Sequence, residues 1–262
     1  MSRKSTILAV SIAAAFLGGA SAAFGASELS AGLERFEWTE TAPGGARILK
    51  ESGPLFVLGG RWEQDKDQGL VLGLRSHAFF GSVDYDGQTW GGAPVATDVN
   101  YLGAGFEGRA IWRIPSGGWR ADLFGALGYR LWVRDIESTY SAVGYAEGWR
   151  APYAGIGIAL SEPGEKGFYG EALVGKPFSV RNKAFLTDAG FDGDVTLKPE
   201  GKLFVSLEAG YRFSSLAIAG YYRQVRFGES GAETASLGGM PVLVFQPESE
   251  EKTLGARLSY RF

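Results

Sequence analysis

The chain has 262 residues with a formal net charge of −3, 40 glycines, 13% aromatic residues, one histidine and no cysteine. Without cysteine there is neither a disulfide framework nor a thiolate metal site, and the charge balance gives no reason to expect a nucleic-acid partner. Average glycine usage is only about 7%, so the glycine and aromatic content is unusual for an ordinary globular domain.

The first stretch, MSRKSTILAVSIAAAFLGGASAAFGA, sets Arg3 and Lys4 before an apolar core from Ile7 to Leu17 and then Ala20-Ser21-Ala22. This is the plan of a secretory signal peptide. We expect residues 1–22 to be the signal peptide, cleaved after Ala22, and residues 23–262 to form one domain. A retained anchor is disfavoured, because that core is short against the roughly 20 residues a spanning helix needs.

Past Ala26 the apolar residues recur with period two, the strand signal. The predicted strands, in order, are 33–41, 55–64, 69–84, 99–113, 119–135, 143–160, 167–180, 202–213, 216–227 and 251–262. In residues 119–133, Trp119, Ala121, Leu123, Leu127, Tyr129, Leu131 and Val133 oppose Arg120, Asp122, Gly128, Arg130 and Trp132. Residues 202–213 set Leu203, Val205, Leu207, Ala209, Tyr211 and Phe213 against Ser206, Glu208, Gly210 and Arg212. Several runs reach the roughly 9–11 residues that a tilted strand needs to cross a bilayer. Pro152 and Pro177 strain the pattern, since proline cannot donate to a ladder, and Arg150 has the parity of apolar Ile156 and Ile158. A bulge near Pro152, or membrane entry only after it, would remove the conflict.

Short connections at 65–68, 115–118, 162–166 and 214–215 alternate with longer ones at 42–54, 85–98, 136–142, 181–201 and 228–249. The expected fold is all-β: an antiparallel transmembrane β-barrel of about ten strands, eight being possible, with short turns on one side and longer loops on the other. A secreted soluble β protein is the alternative, because periodicity alone does not distinguish inside from outside. Glycines on the polar faces and aromatics near strand ends (Trp38, Trp62, Trp112, Tyr129, Tyr211, Tyr260 and Phe262) favour the membrane.

The signal peptide, the amphipathic strands and the closing LSYRF together resemble bacterial outer-membrane β-barrel proteins. That resemblance implies short periplasmic turns, extracellular loops, residence in the cell outer membrane, and Leu258, Tyr260 and Phe262 as the signal read by the barrel-assembly machinery. It also implies outer-membrane lipid and lipopolysaccharide as surroundings, and leaves any extracellular ligand unidentified.

On the polar faces, Arg61, Arg75, His77, Glu107, Arg109, Arg120, Asp122, Arg130, Glu171, Glu208, Arg212, Arg223 and Arg257 are expected to form a lumen charge network, with Arg35, Glu37 and Arg261 sharing that face. Confined charges must pair, so the expected role is to fill the lumen. A narrow pore with slight anion preference is the runner-up and a lipid or peptide hydrolase the third reading. His77 has Ser76 beside it on the opposite face and Ser82 with the same wrong parity. Omptin proteases use an Asp-His dyad, and this chain has no Asp-x-His. No catalytic residue, cofactor or metal is expected: Asp192-Gly193-Asp194 supplies too few oxygens for calcium. Gly103-x-Gly105-x-x-Gly108 lies in a strand with no helix after it, so it is not a dinucleotide site. The apolar run Met240–Phe245 is expected to extend a strand, fold over the mouth as a lid, or offer a partner surface. The expected function is a non-enzymatic surface protein that binds through its loops or supports envelope integrity.

Overall fold

The computed structural model describes residues 25–89 and 91–262; the expected signal peptide lies outside them. Ten long strands pair antiparallel around a closed circuit: β1 (Gly25–Thr41), β2 (Arg47–Gln64), β3 (Gly69–Gln88), β4 (Pro94–Ser116), β5 (Trp119–Ile136), β6 (Ala146–Ser161), β7 (Lys166–Pro177), β10 (Gly201–Phe213), β11 (Leu216–Phe227) and β14 (Glu248–Arg261). Short β8 (Arg181–Ala184) and β9 (Val195–Leu197) extend the edge above β6, and β12 (Glu233–Leu237) pairs with β13 (Met240–Val244) as a separate hairpin. β1 closes the circuit on β14, from Glu28 opposite Arg261 to Thr41 opposite Glu248. Beyond that ladder, Phe262 and Ser27 exchange two backbone hydrogen bonds of 3.0 and 3.3 Å. Closure leaves no unpaired edge, which an apolar solvent requires.

The strands outrun a membrane. β4 has 23 residues, and at roughly 3.3 Å per residue such a strand is about 75 Å long, against an apolar band about 25 Å tall. The lower half is therefore inside-out: Leu29, Leu58, Leu72, Leu74, Leu127, Ile156, Ile218 and Leu258 are exposed on the outer face. The upper half follows the rule for soluble proteins, with its largest buried side chains (Trp38, Trp132, Trp149, Phe36 and Phe227) pointing into the lumen.

This switch corrects three expectations. β1 begins at Gly25, and its inward side chains are Glu34, Phe36, Trp38 and Glu40, whereas Arg35 and Glu37 face outward. Equating charge with lumen fails there because the outer face has left the lipid: Glu37 pairs at 2.7 Å with Lys50 of β2. Second, the connections expected at 42–54 and 85–98 are mostly strand, leaving a tight turn at 42–46 and a short link after Gln88 in which Thr89 N–H donates to the Ala93 carbonyl. Third, β13 pairs with β12 alone, so Met240–Val244 does not continue a barrel strand.

The register of β5 with β6 runs unbroken from Arg120–Ser161 to Asp135–Ala146, so there is no bulge at Pro152. Instead the exposed apolar series begins below it, at Ala154 and Ile156, and outward Arg150 lies above. Pro177 ends β7, after which Phe178 N–H donates to the Pro152 carbonyl at 2.8 Å and β8 takes over as the partner of β6.

Candidate functional site: the lumen and its two ends

The inward side chains of the barrel form three tiers. Alternation makes them inward: each lies two residues from the next along a strand whose other face carries the apolar series.

The lower tier centres on Glu171 of β7. Arg109 of β4 meets it through two hydrogen bonds of 2.8 Å, Arg75 of β3 adds another pair that includes one of 2.9 Å, and Arg61 of β2 approaches at 3.5 Å. Three guanidiniums thus converge on one carboxylate across the lumen. Arg109 also pairs with Glu107, whose other oxygen accepts from Tyr153 Oη at 2.6 Å, and its guanidinium stacks 4.1 Å from the Phe124 ring. Nearer the short turns, Arg113 donates to Asp122 and to Glu63 (3.0 Å), and Glu63 also accepts from Arg61 at 3.0 Å. Arg120 reaches Asp122 at 3.6 Å. Arg212 donates to the Glu162 carbonyl at 3.0 Å.

In the middle tier, Glu251 pairs with Arg130 at 3.0 Å and with Arg223 at 3.3 Å. Glu34 accepts from Tyr221 at 2.9 Å, and Arg257 pairs with Glu208. His77 lies here, its ring over Gly105 and near Phe79, and its Nε2 has no hydrogen-bond partner among the described residues. A cavity of about 120 Å³ adjoins it. Glycines make room for these rings: a Cβ on Gly105 would overlap His77, and one on Gly128 would overlap Tyr153. Gly103 and Gly105 are thus a packing surface for Phe79 and His77, and Gly108, of opposite parity, is not part of it.

The upper tier is an aromatic plug around one cation. Trp132 and Trp149 stack at 5.3 Å, Trp38 meets Trp149 edge-on at 5.1 Å, and Phe227 packs against all three indoles. Arg134, 1% exposed, donates to Glu40 at 2.8 Å, to Glu147 at 3.1 Å and to Glu51. Three carboxylates on one guanidinium leave negative charge to be met by other donors, since unpaired buried charge is costly. Those donors are present: Trp38 Nε1–H on Glu40 (2.9 Å), Trp149 Nε1–H on Glu147 (2.9 Å), Tyr101 O–H on Glu51 and Gln246 Nε2–H on Glu40 (3.0 Å). Asn182 of β8 ties the plug to Glu147 and to Gln246.

Above the plug, β8, β9, a 3-10 turn at Leu186–Ala189 and the β12–β13 hairpin share a small core of Ala184, Leu186, Phe191 and Ala235. Asp192 accepts from Ser236 Oγ and Gly239 N–H, which hold its carboxyl below the usual range. Met240, Leu243 and Phe245 are exposed on the hairpin.

All thirteen side chains expected in the network face the lumen or its lower mouth. Arg61, Arg75, Glu107, Arg109 and Glu171 come together, as do Arg130 with Arg223 and Glu208 with Arg257. Among the described residues His77 joins no ion pair, and Arg212 meets no carboxylate within 4 Å. Sequence reasoning missed Glu34, Glu40, Glu51, Glu63, Arg113, Arg134, Glu147 and Glu251. Arg134 and Glu251 share the parity of Arg130 and Arg257 on their own strands, a signal that was available.

No protein-family model matches the chain. No curated protein matches it either. Among solved structures, it is similar to the outer membrane protease OmpT from Escherichia coli, at 13% identity and TM-score 0.58 over 92% of this chain and 98% of that one. An outer membrane channel from Pseudomonas putida F1 matches at 12% identity and TM-score 0.41, over 93% of this chain and 97% of that one. The translocator domain of autotransporter NalP from Neisseria meningitidis matches at 13% identity and TM-score 0.38, over 99% and 98%. At such identities the likeness is one of fold. With its closed circuit of ten antiparallel strands, apolar outer belt and polar lumen, the chain has the fold of the bacterial outer-membrane β-barrels.

Proposed function

We propose that the protein is a non-enzymatic outer-membrane barrel that does not conduct, and that it acts through the folded platform above its plug or by stiffening the envelope. The observation that carries this reading is the upper tier. Trp38, Trp132, Trp149, Phe227 and Arg134 are each no more than 2% exposed, and hydrogen bonds tie Arg134, Trp38 and Trp149 to Glu40, Glu51 and Glu147 on three strands. Opening such a plug would strand buried carboxylates without Arg134, at a cost of several kcal/mol.

The ion pairs below it support the same reading, because charges tied bidentately to one another are poor relays for a passing ion. Three observations support the non-enzymatic part: Ser76 and Ser82 lie on the outer face of β3, the His77 ring packs on Gly105 and Phe79, and its Nε2 bonds to no hydroxyl among the described residues. In this reading the short turns face the periplasm, the platform faces outward among lipopolysaccharide, and Leu258, Tyr260 and Phe262 serve the assembly machinery.

Solute flux through liposomes carrying the purified protein tests the proposal. The intact barrel is expected to be impermeant to small ions, and Trp38→Ala with Trp149→Ala to leak. Rapid flux through the intact protein would sink it.

A further inference from the structure

Charge is distributed unevenly along the lumen. Eight inward arginines, Arg61, Arg75, Arg109, Arg113, Arg130, Arg134, Arg223 and Arg257, each have a carboxylate within 4 Å. Three others lie together at the short-turn mouth. Among the described residues Arg120 approaches only the carboxylate of Asp122, at 3.6 Å, and that carboxylate already accepts from both Nε and Nη2 of Arg113. Arg212 gives one N–H to a backbone carbonyl and makes no ion pair among the described residues; Arg261 makes none either.

These three line a basin of about 500 Å³ that narrows inward to a second space of about 80 Å³, bordered by the same three side chains. The Nε atoms of Arg120 and Arg212 are buried without a hydrogen-bond partner. The charges acting most on Arg212 are those of Arg120, Arg261 and Arg61, all cations. Of the acids on the basin rim, Glu162 accepts from Phe168 N–H at 2.7 Å, Glu165 from Ser214 Oγ at 3.2 Å and Glu63 from Arg61 and Arg113, while Asp65 and Asp67 sit on the turn between β2 and β3. Glu28 borders the narrow part, opposite Arg261 and Arg61 in the strand register, and makes no ion pair within 4 Å among the described residues.

Like charges gathered in a partly desolvated cleft repel unless an anion joins them. Planar guanidinium forks match the oxygens of phosphate in bidentate fashion, and the hydroxyl of Ser215 on the same wall can donate as well. We propose that Arg120, Arg212 and Arg261 form a binding site for a phosphate-type oxyanion at the short-turn mouth of the barrel. The phosphate comes either free from solution or as the headgroup of a lipid at the adjoining rim, where Phe262 borders the basin. The site depends on the sealed-barrel reading only for which side of the membrane it faces.

The test uses the full folded chain in nonionic detergent, titrated calorimetrically with inorganic phosphate at fixed ionic strength. A second arm places the chain in phosphatidylcholine nanodiscs doped with phosphatidic acid and reads lipid retention by native mass spectrometry. Single-site binding in detergent identifies the free anion as the guest, and retention of phosphatidic acid alone identifies the lipid. In either arm Arg212→Gln and Arg120→Gln are each expected to weaken binding by about 10-fold or more, the scale of one charge-assisted hydrogen bond. Heat-modifiable gel migration confirms that both variants fold. No binding in either arm, or binding unchanged in both variants, overturns the proposal.

Discussion

Arg109 and Glu171, 62 residues apart in the chain, meet across the barrel through two parallel hydrogen bonds of 2.8 Å. The pair ties β4 to β7 through the lumen, so it reports barrel closure as well as local packing. Since Arg75 and Arg61 bind the same carboxylate, Glu171 anchors charges from three consecutive strands.

Glu171→Gln is therefore expected to cost about 3–5 kcal/mol, because it leaves clustered guanidiniums without their counter-ion. The urea midpoint of unfolding in detergent measures this. Glu200→Gln, which breaks a pair with Lys176 whose side chains are both about two-thirds exposed, should stay within roughly 0.5 kcal/mol.

Gly128→Ala should destabilise the barrel by about 1–3 kcal/mol, since the new methyl meets the Tyr153 ring. Tyr153→Ala frees that space, so the double variant should cost less than the sum of the single ones. Additive effects in the same urea experiment would contradict the packing described for this pair.

The β12–β13 hairpin pairs with no barrel strand. Replacing residues 233–244 by a short Gly-Ser linker should leave heat-modifiable migration intact. Loss of the folded band would mean that the platform is needed for closure.

Deleting Phe262 removes the last backbone pair with Ser27 and the terminal aromatic. The variant is expected to disappear from the membrane fraction on expression. Full recovery there would count against the assembly role proposed for the C-terminus.

Much of the fold could be read from the sequence, because a lipid-facing strand must alternate and the chain alternates ten times. β5 shows it best: Leu123, Leu127 and Tyr129 face outward and Asp122, Arg130 and Trp132 inward, as the period-two pattern requires. The rule failed where strands leave the lipid. On β1, Trp38 is apolar and Glu37 charged, yet Trp38 is in the plug and Glu37 outside, since water on the outer face returns the upper barrel to ordinary burial. The convergence of Arg61, Arg75 and Arg109 on Glu171 could not be read either, because it depends on closure bringing β7 opposite β2, β3 and β4. The basin of Arg120, Arg212 and Arg261 is likewise a product of register, joining three strand ends far apart in sequence.

The central claim is that Arg134 and the surrounding indoles seal the lumen. Single-channel recording of the purified barrel in planar bilayers tests it most directly. The intact protein should leave the bilayer silent, and discrete conductance steps should follow once Trp38 and Trp149 are replaced by alanine. Reproducible steps from the intact protein, altered by Arg75→Ala or Arg130→Ala, would contradict it.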